Sequence, residues 1–131
     1  MPGWLGADFA DLVRDEGELR AWIRDGAIEA AALLETGSTE EARAFIEWFA
    51  QFQLPDGRIP CCIDQRGPDA VAEYDSDGEF IYAVAEYYRY THDVGFVQQM
   101  WPVVTRALDS IASLRARRTT EEFSRPEKDA F

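Results

Sequence analysis

Two segments of this sequence are apolar nearly all the way around a helix, and this pattern restricts the folds open to the chain. One segment runs from Leu19 to Leu34 and the other from Phe80 to Tyr90. A helix at a protein surface buries a single stripe, so a helix that is apolar on every side needs neighbours on every side. We therefore expect both segments to be inner helices of a larger helical assembly.

Each inner segment is followed by a helix with a single apolar stripe and a polar remainder. The predicted stripes are Ala42, Phe45, Ile46 and Phe49 in the first, and Val97, Trp101, Val104, Leu108 and Ile111 in the second. The second helix is expected from about Val94 to Arg117. Pro102 should kink this helix or mark the start of its regular part, because proline lacks the N–H of a helical hydrogen bond.

Start and stop signals separate these helices. Gly37 is placed to end the first inner helix, and Ser38–Glu41 has the sequence of a capping box that opens the next helix. A second capping box is predicted at Ser76–Glu79, where the other inner helix should begin. Asp93 is predicted to be the N-cap of the last helix. The turn within each pair of helices is therefore short.

A long connection from Gln53 to Asp75 joins the two pairs of helices. It contains five residues that interrupt helices, namely Pro55, Gly57, Pro60, Gly67 and Pro68. We expect a turn at Pro55-Asp56-Gly57 and no regular structure in the remainder. Long irregular loops within compact proteins are usually functional, so this segment is expected near a site.

The order of inner and outer helices predicts an all-α fold of two helical hairpins packed side by side. Each outer helix returns the chain, so the inner helices should run parallel, with both N-termini on one face. A plain four-helix bundle is the rival fold, but each of its helices should show only one stripe. We treat residues 1–131 as one segment of an incomplete ring, with 1–17 as an N-terminal extension and 118–131 as a weakly ordered tail.

Charge and hydropathy limit the partners that we expect. The chain carries 25 acidic and 13 basic residues, a net charge of −12 that repels nucleic acid and anionic membranes. It lacks any apolar run of about 18 residues. Its start, Met1-Pro2-Gly3-Trp4, does not have the order of a signal peptide. We therefore expect a cytoplasmic protein that binds neither nucleic acid nor membranes.

Few residues suit metal, cofactor or covalent chemistry. Cys61 and Cys62 are adjacent, and we expect two buried thiols rather than a disulfide or a metal site. Glu73–Gly78 matches the first half of a calcium loop, but the twelfth position is Val84 where an EF-hand needs glutamate. His92 is the only histidine and has no nucleophile in a convincing arrangement. We expect no metal and no cofactor.

Several motifs in order resemble the first hairpins of the six-hairpin glycosidases, which include glucoamylases, trehalases and the glucosidase part of glycogen debranching enzymes. The similar segments, between about Leu19 and Leu114, are Trp22–Ala27, Leu33–Leu34 with Gly37, Gln53–Pro60, Asp75–Ile81, Tyr87–Asp93 and Trp101–Pro102. The resemblance implies an (α/α)6 toroid with a sugar pocket at the N-terminal mouth of the inner helices. This chain would supply about two of the six hairpins.

The resemblance also implies which residues bind the sugar. In these enzymes an Arg-Asp pair after a tryptophan binds sugar hydroxyls, and this motif matches Trp22, Arg24 and Asp25. An Asp-Gly at the start of the next inner helix makes a second contact and matches Asp77. Asp75 is expected at the same mouth. Guanidinium and carboxylate groups suit sugar hydroxyls, and an aromatic ring suits the apolar face of a sugar.

Catalysis is expected to need residues other than these, because the acid and base of the family come from later hairpins. Glu73, Asp75, Asp77 and Glu79 are candidates for a carboxyl pair, but helix capping explains them more simply. The expected function is that of a glucosidase-like fragment that binds carbohydrate and is inactive alone. The alternative is a helical assembly module whose exposed apolar flank binds a second copy or the remainder of the toroid.

Overall fold

The computed structural model describes residues 20–118, which form four helices and a small antiparallel sheet. In chain order the elements are β1 (Ala21–Trp22), α1 (Ile23–Glu35), α2 (Thr39–Ala50), β2 (Cys62–Asp64), β3 (Gly67–Pro68), α3 (Ser76–Thr91) and α4 (Val94–Arg118). The predicted all-α class with two helical hairpins is confirmed for this part of the chain. The predicted extension at 1–17 and the predicted tail beyond residue 118 lie outside the described residues.

The turn between α1 and α2 follows from Gly37. This residue has a φ of 86°, a conformation that glycine adopts without steric cost. The N–H of Ser38 donates to the carbonyl of Leu33 at 2.8 Å, and that of Gly37 donates to Leu34 at 3.1 Å. These two bonds form a Schellman motif, so the predicted glycine stop is confirmed.

The inner helices α1 and α3 pack directly against each other and run parallel. At one end, Arg24 in the first turn of α1 lies 3.8 Å from Glu73 and 4.0 Å from Asp75, just before α3 begins. At the other end, Arg43 near the start of α2 pairs with Asp93, just after α3 ends. Both N-termini therefore lie on one face, as the hairpin order predicts.

A single apolar core joins the four helices. Its largest fully buried side chains include Phe45, Phe49, Phe80 and Phe96. Gly26 permits the close approach of α1 and α2, because a Cβ at this position would overlap the ring of Phe45. The predicted stripe of α2 is buried throughout, at Ala42, Phe45, Ile46 and Phe49.

The predicted stripe of α4 was wrong at two positions. Trp101 and Leu108 are 54% and 45% exposed, and the buried stripe instead consists of Phe96, Met100, Val104 and Ala107. Two overlapping apolar stripes share Val104 on this helix, and packing against α2 and α3 determines which one is buried. The helix continues through Pro102.

The long connection contains regular structure that the sequence did not predict. Strand β2 pairs with β1 through Ala21–Ile63 and Trp22–Cys62, and with β3 through Ile63–Pro68 and Asp64–Gly67. The first inner helix consequently begins at Ile23, because the two residues before it belong to the sheet. The predicted turn at Pro55-Asp56-Gly57 is confirmed, with the N–H of Gly57 donating to Leu54 at 2.9 Å.

The two predicted capping boxes were wrong, whereas the Asp93 cap is confirmed. Neither Ser38 nor Asp75, which hold the N-cap positions of α2 and α3, makes a side-chain capping bond. Ser76 is the first residue of α3, and its buried hydroxyl has no partner among the described residues. Asp93 accepts the N–H of Phe96 at 3.0 Å.

Each inner helix keeps an exposed apolar flank in this chain. Ile28 on α1 is 64% exposed, and Tyr82 on α3 is 47% exposed. The described elements therefore cover only part of the circumference that the sequence makes apolar. Within residues 20–118, no helix combines the length and the apolar content needed to cross a bilayer.

Candidate functional site

The N-terminal ends of α1 and α3 bring a set of charged and aromatic side chains together at one end of the molecule. We call this set the mouth cluster, and it consists of Trp22, Arg24, Glu73, Asp75 and Glu79. Strand β1 holds Trp22, the first turn of α1 holds Arg24, and the start of α3 holds Glu79. Segments that are distant in sequence meet here because the two inner helices are parallel.

Arg24 is the centre of the mouth cluster. Its guanidinium lies 3.8 Å from a Glu73 oxygen, 4.0 Å from an Asp75 oxygen, and 5.5 Å from the centre of the Trp22 ring. These distances are long for ion pairs, and the side chain is half exposed. Exposed pairs of this kind contribute little to stability. Arg24 and its acids therefore keep hydrogen-bonding capacity for a ligand.

The carboxyl group of Glu79 has a strongly shifted pKa. Burial, followed by the negative charge of Asp75, raises its pKa from 4.5 to about 7, and the nearby Arg24 opposes this shift. A side-chain interaction with Asp75 also contributes to the upward shift of the Glu79 pKa. Carboxyl groups that titrate near pH 7 are concentrated at functional sites. The sequence had explained Glu79 as part of a cap, since only the fold reveals its burial.

The predicted sugar-binding residues do not all lie together. Trp22, Arg24 and Asp75 are in mutual contact through Arg24, and Asp25 is exposed in the first turn of α1. Asp77 is buried, and its carboxylate accepts the N–H of Ile59 at 2.7 Å. That bond ties the long connection to α3. Asp77 thus has a structural role that the sequence alone did not reveal.

A cleft of about 590 Å³ lies beside the mouth cluster, between the long connection and the end of α4. We call it the outer cleft. Its lining includes Asp56, Arg58, Glu73, Tyr74, Asp77, Asp109, Ser110, Ser113 and Arg117. Glu73 belongs to both the cleft and the mouth cluster, so the two sites are continuous. The sequence did not predict this cleft, because its walls come from separate segments.

One group of three candidate metal ligands occurs within residues 20–118. Cys61, Cys62 and Asp69 each offer a ligand atom, and these atoms lie within 4.8 Å of one another. Both cysteines are buried and free, as predicted. Burial, together with a hydrogen bond to Cys62, raises the pKa of the Cys61 thiol to about 12.

Comparison with known proteins gives two matches. The family model described as amylo-alpha-1,6-glucosidase matches residues 13–114. Among curated proteins, the MMP endo-(1,4)-3-O-methyl-alpha-D-mannosidase of Mycolicibacterium hassiacum is 34% identical over 118 residues, which cover 82% of this chain and 32% of that protein. The chain thus spans about a third of the length of this relative. No solved structure matches the chain significantly.

Proposed function

Because this chain belongs to the amylo-alpha-1,6-glucosidase family, within the six-hairpin glycosidases that its motifs resemble, we propose that it binds an α-linked sugar at the mouth cluster. In this proposal the chain supplies two hairpins of an (α/α)6 toroid. The remaining hairpins supply the catalytic acid and base. The family description names an α-glucosidase, and the name of the relative is that of an α-mannosidase. Both names denote enzymes that act on α-glycosides.

The observation that carries this proposal is the arrangement around Arg24. One guanidinium faces two carboxylates and lies over the ring of Trp22, all at the N-terminal ends of two parallel helices. A sugar offers hydroxyls to the charged groups and an apolar face to Trp22. The contacts of Arg24 with its acids, at 3.8 and 4.0 Å, leave room for hydroxyls to complete the hydrogen bonds.

We assign the mouth cluster to sugar binding and not to bond cleavage. Hydrolysis requires two carboxyl groups about 5 to 10 Å apart, with the glycosidic bond between them. Glu73 and Asp75 instead both lie within 4.0 Å of one guanidinium nitrogen of Arg24, so this cation is their common partner. A protonated Glu79 offers one hydrogen bond to a hydroxyl, and the carboxyl oxygens of Glu73 and Asp75 are available as acceptors.

The outer cleft provides space for further sugar units. It begins at Glu73, next to Arg24, and its walls carry both charged side chains and hydroxyl groups. Tyr74 is exposed at this cleft and offers an aromatic face. Polar clefts with an aromatic surface suit oligosaccharides better than small apolar ligands. An oligosaccharide is therefore expected to bind more tightly than its monosaccharide.

Calorimetry on the full chain tests the proposal. We expect binding heat with maltose, trehalose or methyl α-mannoside, and loss of this heat in Arg24→Ala. Arg66→Ala is the matched control, because Arg66 is an exposed arginine that pairs with Asp64 in the small sheet. Sugar binding that survives in Arg24→Ala, or folded wild-type protein without any binding heat, would contradict the proposal.

The exposed apolar flank favours a second candidate function, a helical assembly module without chemistry. Ile28 and Tyr82 are large, apolar and about half exposed or more on the two inner helices. Under this alternative a second copy of the chain covers the flank. Light scattering together with calorimetry distinguishes the two candidate functions. A chain that is dimeric, gives no binding heat with sugars and becomes monomeric in Ile28→Asp supports assembly alone.

A further inference from the structure

The chain bends at Cys61, just before β2, and this bend lets the side chains of Cys61 and Cys62 converge, whereas neighbours within a strand point to opposite faces. Cys62 begins β2 and Cys61 directly precedes it, yet their sulfur atoms lie 3.4 Å apart. Both side chains are buried. Asp69, just after β3, brings a carboxylate oxygen within 4.8 Å of both sulfurs.

We propose that Cys61, Cys62 and Asp69 form a binding site for Zn²⁺ or a similar thiophilic divalent cation. Zinc binds thiolate at about 2.3 Å and carboxylate at about 2.0 to 2.2 Å, so tetrahedral ligands lie roughly 3.5 to 3.8 Å apart. The two sulfurs already have nearly this separation. The carboxylate needs to approach by about 1 Å, and a water completes the tetrahedron. The two thiols release their protons to solvent on binding.

The surroundings of the sulfurs favour a cation. The negative charges of Asp69 and Glu73 both act on the Cys61 thiol. Two basic groups are also near: Arg20 lies 3.8 Å from Asp69, whose side chain is 29% exposed, and the charges of Asp69 and Cys62 both act on Arg66. A carboxylate has about four lone-pair sites, so Asp69 accommodates both Arg20 and a metal. The partial exposure of Asp69 gives a cation a route of entry.

A cation at this position would join the sheet to the first inner helix. The carbonyl of Cys61 accepts the N–H of Ile23 at 3.0 Å, and that of Cys62 accepts the N–H of Asp69 at 3.0 Å. Cys62 also pairs with Trp22 across the β1–β2 ladder. Metal binding would therefore stabilise the strand that carries Trp22. This inference does not depend on the proposed sugar binding.

Cobalt titration of the reduced full chain tests the site. Co²⁺ bound by thiolates gives a sulfur-to-metal charge-transfer absorption and the visible bands of tetrahedral coordination. We expect both at one Co²⁺ per chain, followed by their loss when Zn²⁺ is added. Zn²⁺ should also raise the temperature of unfolding. Folded wild-type protein that shows neither the absorption nor the stabilisation would overturn the proposal.

Asp69→Asn and Asp64→Asn form the matched pair of variants. Both aspartates belong to the β2–β3 region and lie 3.8 Å from Arg20, but only Asp69 faces the sulfurs. We expect Zn²⁺ affinity to fall more than tenfold in Asp69→Asn and to be unchanged in Asp64→Asn. Equal affinity in the two variants would overturn the three-ligand site. Cys62→Ser should abolish the charge-transfer absorption, and circular dichroism establishes whether that variant is folded.

Discussion

The two ends of the helical hairpins differ in how completely their charges are paired. At the end opposite the mouth, Arg43 lies 2.9 Å from Glu47 and 3.1 Å from Asp93, and the hydroxyl of Tyr87 donates to Asp93 at 3.2 Å. At the mouth, Arg24 approaches its acids only to 3.8 and 4.0 Å. We call the first end the closed network, because its short hydrogen bonds fix the turns, whereas the contacts of Arg24 at the mouth are longer.

The difference also appears in protonation. At the mouth, burial and the charge of Asp75 raise the pKa of Glu79 to about 7. At the opposite end, the hydrogen bond to Glu47 raises the pKa of Arg43, as expected for a cation paired with an anion. Pairing of opposite charges stabilises the fold, while confinement of like charges is a cost that binding sites commonly tolerate. The paired charges therefore stabilise one end, and the proposed sugar site lies at the other.

The largest expected effect is the removal of an aspartate from the closed network. Asp93→Ala removes the N-cap bond to Phe96 and the partner of Arg43, so we expect a loss of about 1 to 3 kcal/mol in the free energy of unfolding. Asp75→Ala at the mouth should change it by less than about 0.5 kcal/mol. Urea denaturation measures both. Similar losses in the two variants would remove the distinction between the ends.

Substitution of two glycines by alanine is expected to change the free energy of unfolding by smaller amounts and in opposite directions. Gly37, at the closed end, has a φ of 86°, so Gly37→Ala should cost about 1 kcal/mol of folding free energy. Gly78 lies within α3 at the mouth, and a Cβ there meets open space. Gly78→Ala should therefore stabilise the chain by about 0.5 to 1 kcal/mol. Thermal unfolding of both variants checks the signs, and a destabilised Gly78→Ala would contradict them.

The smallest effect concerns pH. The Glu79 pKa is raised from 4.5 to about 7 on folding, so the folded chain binds the proton more tightly. The protonated Glu79 carboxyl therefore contributes to the free energy of unfolding. This contribution is complete below pH 4.5 and is lost as the pH rises through 7. Glu79→Gln should abolish this decline between pH 5 and 8 in urea denaturation, while Glu86→Gln on the same helix retains it. A decline that persists in Glu79→Gln would show that another group causes it.

The sequence by itself determined the helical hairpins, their turns and the family. Three features depend on residues within a few positions of one another, namely the helix periodicity, the Gly37 stop and the Asp93 cap. They can therefore be predicted from short stretches of sequence. The motifs around Trp22 and Asp75 likewise pointed to the glycosidases, and the family match confirmed this.

Only the tertiary structure decided the sheet, the buried stripe of α4 and the composition of both proposed sites. Strand β1 pairs with residues from the long connection, and neither strand has a pattern long enough to identify it alone. Glu79 owes its pKa to burial, and Asp69 meets the cysteines across a hairpin. Burial and pairing between distant segments depend on how the helices pack, which no local pattern encodes.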